Sequence, residues 1–219
     1  MTMTTRADIL GRVRTRLNRN ADNGRTATAE IDAWLAAHTQ GPRPSIDGDL
    51  SARFREKSEA QSSTVDRVAT LDEVPAAVAR YLAGLQLAPR AVCWPALAEL
   101  PWRGVALDVE ARAAVDADLV GITGAFCAIA ETGTLLLLSG PDTPGATSLL
   151  PETHIAIVSA SRIVLGMEEA WNLVRAERGE LPRAVNLISG PSRTGDIEQT
   201  IVLGAHGPYR VHIIVVENE

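Results

Sequence analysis

Apolar residues in the first 49 positions recur at helical intervals. They form two short groups separated by a polar stretch, and each group would lie on one face of a helix. Residues 40–48, which hold two glycines and two prolines, predict a linker. We therefore expect a helical N-terminal appendage over 1–49 whose apolar faces pack on the main domain or on a second copy in a homo-oligomer. The apolar positions are Ile9, Val13, Leu17, Ile31, Trp34 and Leu35.

From residue 50 to residue 219, short apolar runs alternate with amphipathic segments. Several of these runs are continuously apolar, which is typical of parallel strands that are buried on both faces. The pattern predicts an α/β domain over 50–219 with a mostly parallel sheet and helices on both faces. Predicted strands are 65–68, 91–94, 105–107, 119–123, 134–138, 155–158, 185–189 and 211–216, and predicted helices are 71–87, 167–177 and 196–203.

The charge and hydropathy of the chain restrict the class of protein. A net charge of −6 argues against binding of a nucleic-acid backbone, which requires a basic surface. No stretch approaches the roughly 20 apolar residues of a membrane-spanning helix. The N-terminal segment is polar and rich in arginine, unlike a secretory signal. These features predict a cytoplasmic protein without a membrane span.

Metal and cofactor chemistry have little support in the residue counts. The two cysteines, Cys93 and Cys127, are isolated, whereas an iron–sulfur cluster needs about four thiolates. The four histidines do not have the spacing of metal ligands. Lys57 is the single lysine and does not belong to a phosphate-binding loop. We therefore predict no metal and no resident cofactor.

Three polar turns that contain glycine each begin in or beside a predicted strand, and together they indicate an anion site. Backbone amides at glycines and hydroxyl groups supply hydrogen-bond donors, and ligands of parallel sheets bind at the carboxyl ends of strands. Each turn taken singly is better explained as an ordinary turn, and only the three together favour a site. The third could also cap the helix predicted from Asp196, where Asp196 and Glu198 would repel an anion. The candidate binding residues are Thr123, Gly124, Thr132, Gly133, Ser189, Gly190, Ser192, Arg193 and Thr194.

Two further residues could carry chemistry. His206 stands in a Gly-Ala-His-Gly-Pro loop and is either a helix C-cap or a donor to the ligand. Glu131 lies between two apolar runs and begins a Glu-Thr-Gly turn. It could act as a nucleophile toward an acyl group or as a general base. The alternative is that it accepts backbone hydrogen bonds and fixes the turn.

Five short segments over residues 118–219 resemble, in the same order, the motifs of the LUD-domain family of bacterial lactate-utilisation proteins, C-type branch. They are Ile122-Thr123-Gly124, residues 130–135, residues 189–194, residues 196–198 and Gly204-Ala205-His206-Gly207-Pro208. The resemblance implies the fold of ribose-5-phosphate isomerases, glucosamine-phosphate deaminases and CoA transferases. It also implies a part in the oxidation of L-lactate to pyruvate beside two iron–sulfur proteins.

The chain departs from the family pattern at two positions. Phe126 stands where members often carry an acidic residue, and Gly195 replaces a commoner alanine. The turn at Glu131 also looks like the Glu-Asn-Gly segment of CoA transferases, with Thr132 in place of asparagine.

Three functions remain open. The first is an accessory subunit of a lactate-oxidising system, without a cofactor of its own, that binds a small carboxylate. The second is an acyl- or CoA-transferase-like enzyme that uses Glu131, and the third is a ligand-sensing module without catalysis.

Overall fold

A computed structural model describes residues 5–18, 21–195 and 202–218. The chain divides into two compact units, with the boundary between Ser45 and Ile46. The first unit contains helices α1 (Arg6–Arg16) and α2 (Ala21–Ala37). The six apolar side chains that predicted these helices are between 47% and 66% exposed. Whether the main domain folds without this segment stays a prediction.

The second unit alternates helices and strands. In chain order it contains α3 (Leu50–Ala60), β1 (Thr64–Val68), α4 (Val74–Gly84), β2 (Arg90–Cys93), β3 (Asp108–Ala111), β4 (Val120–Gly124), β5 (Cys127–Ile129), β6 (Thr134–Leu138), α5 (Ala146–Leu149), β7 (Thr153–Ser159), β8 (Ile163–Val164), α6 (Met167–Arg178), β9 (Val185–Ile188), β10 (Arg193–Thr194), β11 (Val202–Leu203) and β12 (Arg210–Val216). Among the helices of the described residues, none is long and apolar enough to cross a membrane.

Six strands form a central parallel sheet in the order β1-β12-β7-β4-β2-β3. Every residue of β7 is buried, and so are all but the first residue of β12. Burial on both faces explains why apolar residues occupy consecutive positions in these strands, at 155–158 and 213–216. The predicted α/β class with a mostly parallel sheet is therefore confirmed.

The two faces of the central sheet are covered differently. Helix α4 packs Val74, Val78 and Leu82 against one face. The other face packs on a second sheet of order β8-β5-β6-β9 and on Phe54 of α3. Helix α6 covers the outer side of that second sheet through Ala170 and Val174. Helices thus flank both sides, but an additional sheet, which the sequence did not predict, lies between the central sheet and α6.

Several local predictions need correction. The apolar run 105–107 lies in a loop, where Leu107 is buried without strand pairing, and the strand forms next to it as β3. The apolar run around Cys127 contains β5, which was not predicted. Strands 134–138 and 185–188 lie outside the parallel sheet and pair with each other antiparallel. An apolar run predicts a buried strand but not its direction, because direction depends on distant partners.

Candidate functional site

Two of the three predicted turns meet in space. The hydroxyl oxygens of Thr132 and Thr134 lie 2.7 Å apart, and Thr134 lies 2.7 Å from the hydroxyl of Ser189. These residues, with Gly133 and Gly190, form what we call the turn cluster. Its three hydroxyl groups hydrogen-bond to one another, so each of them has a partner within the cluster.

The end of helix α3 holds the turn cluster together. The Ser58 hydroxyl donates to the Gly133 carbonyl at 3.3 Å, and the Gln61 side-chain amide donates to the Thr132 carbonyl. Gly133 has φ +66°, and a Cβ built there would lie 2.5 Å from the backbone nitrogen of Ser58. Gly190 has φ +78°, and its Cβ would lie 2.4 Å from the Gln61 carbonyl oxygen. Both positions require glycine because of backbone conformation and close packing.

Arg193 also contacts the end of α3. Its guanidinium donates to the Gln61 carbonyl at 3.3 Å and to the Ser62 hydroxyl. Asp196 and Glu198, which follow Arg193 in the sequence, belong to residues 196–201 and lie outside the described residues. In the described part of the chain, Arg193 acts as a contact between the third turn and α3.

Glu131 lies in the loop that joins β5 to β6 and is partly buried. Its backbone amide donates to the Leu165 carbonyl at 3.0 Å. Among the described residues, none donates a hydrogen bond to its carboxylate, so the interpretation that this group accepts backbone hydrogen bonds finds no support there. Its role as a nucleophile or base stays a prediction.

The third turn continues into a short strand pair. Strand β10 pairs antiparallel with β11, and the Gly204 amide donates to the Ser192 carbonyl at 3.0 Å. Thr194 belongs to β10, and the helix that it was expected to cap falls on the undescribed residues 196–201. The helix prediction is wrong for residues 202–203. His206 is exposed in the bend after β11, and because a strand precedes it, the C-cap interpretation is wrong.

The first turn does not join the other two. Thr123 is fully buried, and its hydroxyl lies 2.8 Å from Nε2 of His154 on the neighbouring strand β7. Burial lowers the pKa of His154 to about 4. Thr123 therefore satisfies a polar group inside the core, while Gly124 ends β4 at the carboxyl edge of the sheet.

The β5–β6 hairpin separates Gly124 from the turn cluster. Strand β6 carries the chain from Thr134, in the cluster, to Leu138, which lies beside Gly124. Five strand residues span roughly 13 Å. The cluster also adjoins the end of α3, which leads into the start of β1, so it lies at the opposite edge of the parallel sheet from Gly124. The three turns therefore do not form the single cradle that the sequence suggested.

Gly124 lines a different feature, a cleft at the carboxyl ends of the parallel strands. Two adjoining cavities of about 530 and 560 Å³ share Gly124 and Phe126. Trp94, which follows β2, lines one of them, and Ser159, the end of β7, lines the other. We call this feature the carboxyl-edge cleft. Its position is the one where open parallel sheets ordinarily bind ligands.

Two arginines lie against Phe126 in the carboxyl-edge cleft. The guanidinium carbon of Arg162 lies 4.6 Å, and that of Arg178 5.4 Å, from the centre of the Phe126 ring. Arg162 also donates to both carboxylate oxygens of Glu177, at 2.5 and 3.0 Å. These hydrogen bonds, together with the charges of Arg162 and Arg178, hold the pKa of Glu177 below its usual value. The sequence analysis did not identify Arg162 or Arg178, because neither belongs to a recognisable motif.

The sequence model of the LUD domain matches residues 96–216, more than half of the 219-residue chain. The chain belongs to the LUD domain family. The match includes Glu131, most of the carboxyl-edge cleft and the turn cluster, but not α3. The segment that supports Gly133 and Gly190 therefore lies outside the matched part of the LUD domain.

Curated relatives are similar over about half of the chain. Lactate utilization protein C of Bacillus licheniformis is 38% identical over 120 residues, which is 53% of this chain and 50% of the relative. The protein of that name from Halalkalibacterium halodurans is 45% identical over 102 residues, 45% of this chain and 44% of the relative. The one from Bacillus subtilis is 42% identical over 102 residues, 45% of this chain and 42% of the relative. The chain spans about half the length of the curated relatives that it matches.

A solved structure agrees with the fold of this LUD domain. The crystal structure of a DUF162 family protein from Deinococcus radiodurans is 29% identical, with a TM-score of 0.61. The similarity covers 79% of this chain and 99% of the other. It supports the α/β architecture described above.

Proposed function

We propose that this protein is a component of a bacterial L-lactate utilisation system, which oxidises L-lactate to pyruvate. The observation that carries the proposal is the similarity of roughly half of the chain to proteins called Lactate utilization protein C. The residues matched by the LUD domain contain the Glu-Thr-Gly turn and the Ser-Gly-Pro-Ser-Arg-Thr turn, which the fold brings together.

Within that system we assign the chain an accessory role without an iron–sulfur cluster of its own. An iron–sulfur cluster is ordinarily held by about four ligands, mainly thiolates. The chain has two cysteines, Cys93 and Cys127, which are buried in different parts of the core. Electron transfer would then belong to iron–sulfur partner proteins, and this chain would bind the small carboxylate.

Acyl or CoA transfer through Glu131 is the second candidate. The observation that favours it is the partly buried carboxylate without a hydrogen-bond donor among the described residues. Such a group would be available to a substrate. A ligand-sensing module without catalysis remains the third candidate, and ligand binding without any growth phenotype would support it.

Deletion of the gene in its own organism tests the proposal. Growth on L-lactate as the carbon source should stop, while growth on glucose should be unchanged, and the intact gene should restore growth. A tagged copy purified from lactate-grown cells should carry iron–sulfur proteins that a preparation from glucose-grown cells lacks. Unchanged growth on L-lactate after deletion would contradict the proposal.

A further inference from the structure

Two guanidinium groups line the carboxyl-edge cleft, and they differ in whether a carboxylate of the described residues binds them. Both carboxylate oxygens of Glu177 bind Arg162, and the Phe126 carbonyl accepts from Arg162 at 2.9 Å. Arg178 is exposed, lies over the Phe126 ring, and forms no ion pair with any described residue. Gly179, with φ +68°, ends α6 directly after it and fixes Arg178 in the last helical turn. A guanidinium in this setting binds a carboxylate well.

Negative groups in the same cleft limit how much anionic charge it can hold. The side chains of Asp142 and Glu180 line the cavity beside Arg178. The C-terminal end of α6 adds the partial negative charge of a helix C-terminus. Arg178 supplies one positive charge against these groups and against Glu99 of the adjoining cavity. Each further negative charge on a ligand adds repulsion, so a monoanion is favoured over a phosphate, a dicarboxylate or the phosphates of CoA.

The remaining walls of the cleft are largely apolar. They include Phe126, Leu97, Pro141 and Pro182. The cavity volume of about 530 Å³ lies in the range of small-molecule sites, roughly 300–1,000 Å³. The cleft therefore has room for an apolar group beyond the carboxylate.

We propose that the carboxyl-edge cleft is a binding site for a monocarboxylic acid, with the carboxylate on Arg178 and the apolar part of the ligand against Phe126 and Leu97. The site adds a binding position to the proposed function. It rests on that function only for the identity of lactate or pyruvate as a ligand. Its preference for monoanions follows from the charges in the cleft.

Ligand-dependent melting of the intact protein tests this site. L-lactate, pyruvate and phenyllactate at up to tens of millimolar should each raise Tm by several degrees, because a ligand that binds only the folded state stabilises it. Phosphate, sulfate and citrate at the same ionic strength should not. Arg178→Gln should abolish the shifts. Arg175→Gln should keep them, because Arg175 is an exposed arginine of the same helix that contacts Asn172 instead.

A second variant tests the charge argument separately. Asp142→Asn removes one of the repelling carboxylates and should allow phosphate to raise Tm while monocarboxylates still do. The assignment would be overturned if phosphate and the monocarboxylates raised the Tm of the wild type equally, or if Arg178→Gln kept the full Tm shifts. It would also be overturned if none of the three acids changed Tm. Normal lactate-dependent growth of an Arg178→Gln strain that has lost binding would contradict the link to lactate but not the site.

Discussion

Substitution of Gly133 by alanine should destabilise the protein far more than the same substitution at Gly179. Both glycines have nearly the same positive φ, +66° and +68°. Gly179 has ψ −66°, which lies outside the left-handed helical region. An alanine held in a sparsely populated backbone conformation costs about 1–3 kcal/mol, and we take this range for both positions. At Gly179 nothing lies within 4 Å of the added Cβ, whereas at Gly133 it would lie 2.5 Å from the Ser58 nitrogen and 2.6 Å from the Lys57 carbonyl carbon.

The clash at Gly133 involves backbone atoms, which cannot move aside as a flexible side chain can. Overpacking of this kind costs about 1–3 kcal/mol in addition. We therefore expect a loss of about 2–6 kcal/mol in the free energy of unfolding for Gly133→Ala and about 1–3 kcal/mol for Gly179→Ala. For a chain of this length the first would lower Tm by roughly 4–24 °C.

Urea unfolding followed by circular dichroism measures both variants under the same conditions. The slope with denaturant should be unchanged, so that the midpoints report stability directly. Equal losses in the two variants would refute the reasoning, since they would mean that the loop at Gly133 does not pack on the end of α3. Gly190→Ala provides an independent check, because its Cβ would lie 2.4 Å from the Gln61 carbonyl oxygen.

Three further outcomes are expected. Burial lowers the pKa of His154 and of His212 to about 4 in the folded protein, below the value of 6.5 for an exposed histidine. The unfolded chain therefore binds more protons, and stability is lost as pH falls from about 6.5 to 4. Each histidine should account for a loss of about 3 kcal/mol in the free energy of unfolding, and His154→Gln should remove about half of this dependence in urea titrations at several pH values. If Glu131 is catalytic, Glu131→Gln should leave the urea midpoint nearly unchanged and abolish lactate-dependent growth. Full growth on lactate of a strain that carries this variant would show that Glu131 is not catalytic. A chain beginning at Leu50 should unfold cooperatively and remain monodisperse, and its aggregation would show that the first 49 residues belong to the core.

The sequence by itself determined most of the local elements and the resemblance to the family. Apolar residues occupy consecutive positions at 155–158 and 213–216, and short runs of this kind are typical of strands that are buried on both faces. The spacing of Val74, Val78 and Leu82 equally fixed one face of α4. These signals are local, so they can be read without knowing which segments meet.

Only the tertiary structure decided where the turns stand relative to one another. The glycines at 133 and 190 identified turns, but their packing on the end of α3 depends on contacts between residues far apart in the chain. The sequence predicted that Thr123 would donate to a ligand, but in the fold its hydroxyl pairs with His154 of the neighbouring strand. Phe126 and Arg178 meet because β5 and α6 pack on each other, and no local pattern encodes that contact. Strand order and strand direction follow from long-range pairing, which hydrophobic periodicity does not specify.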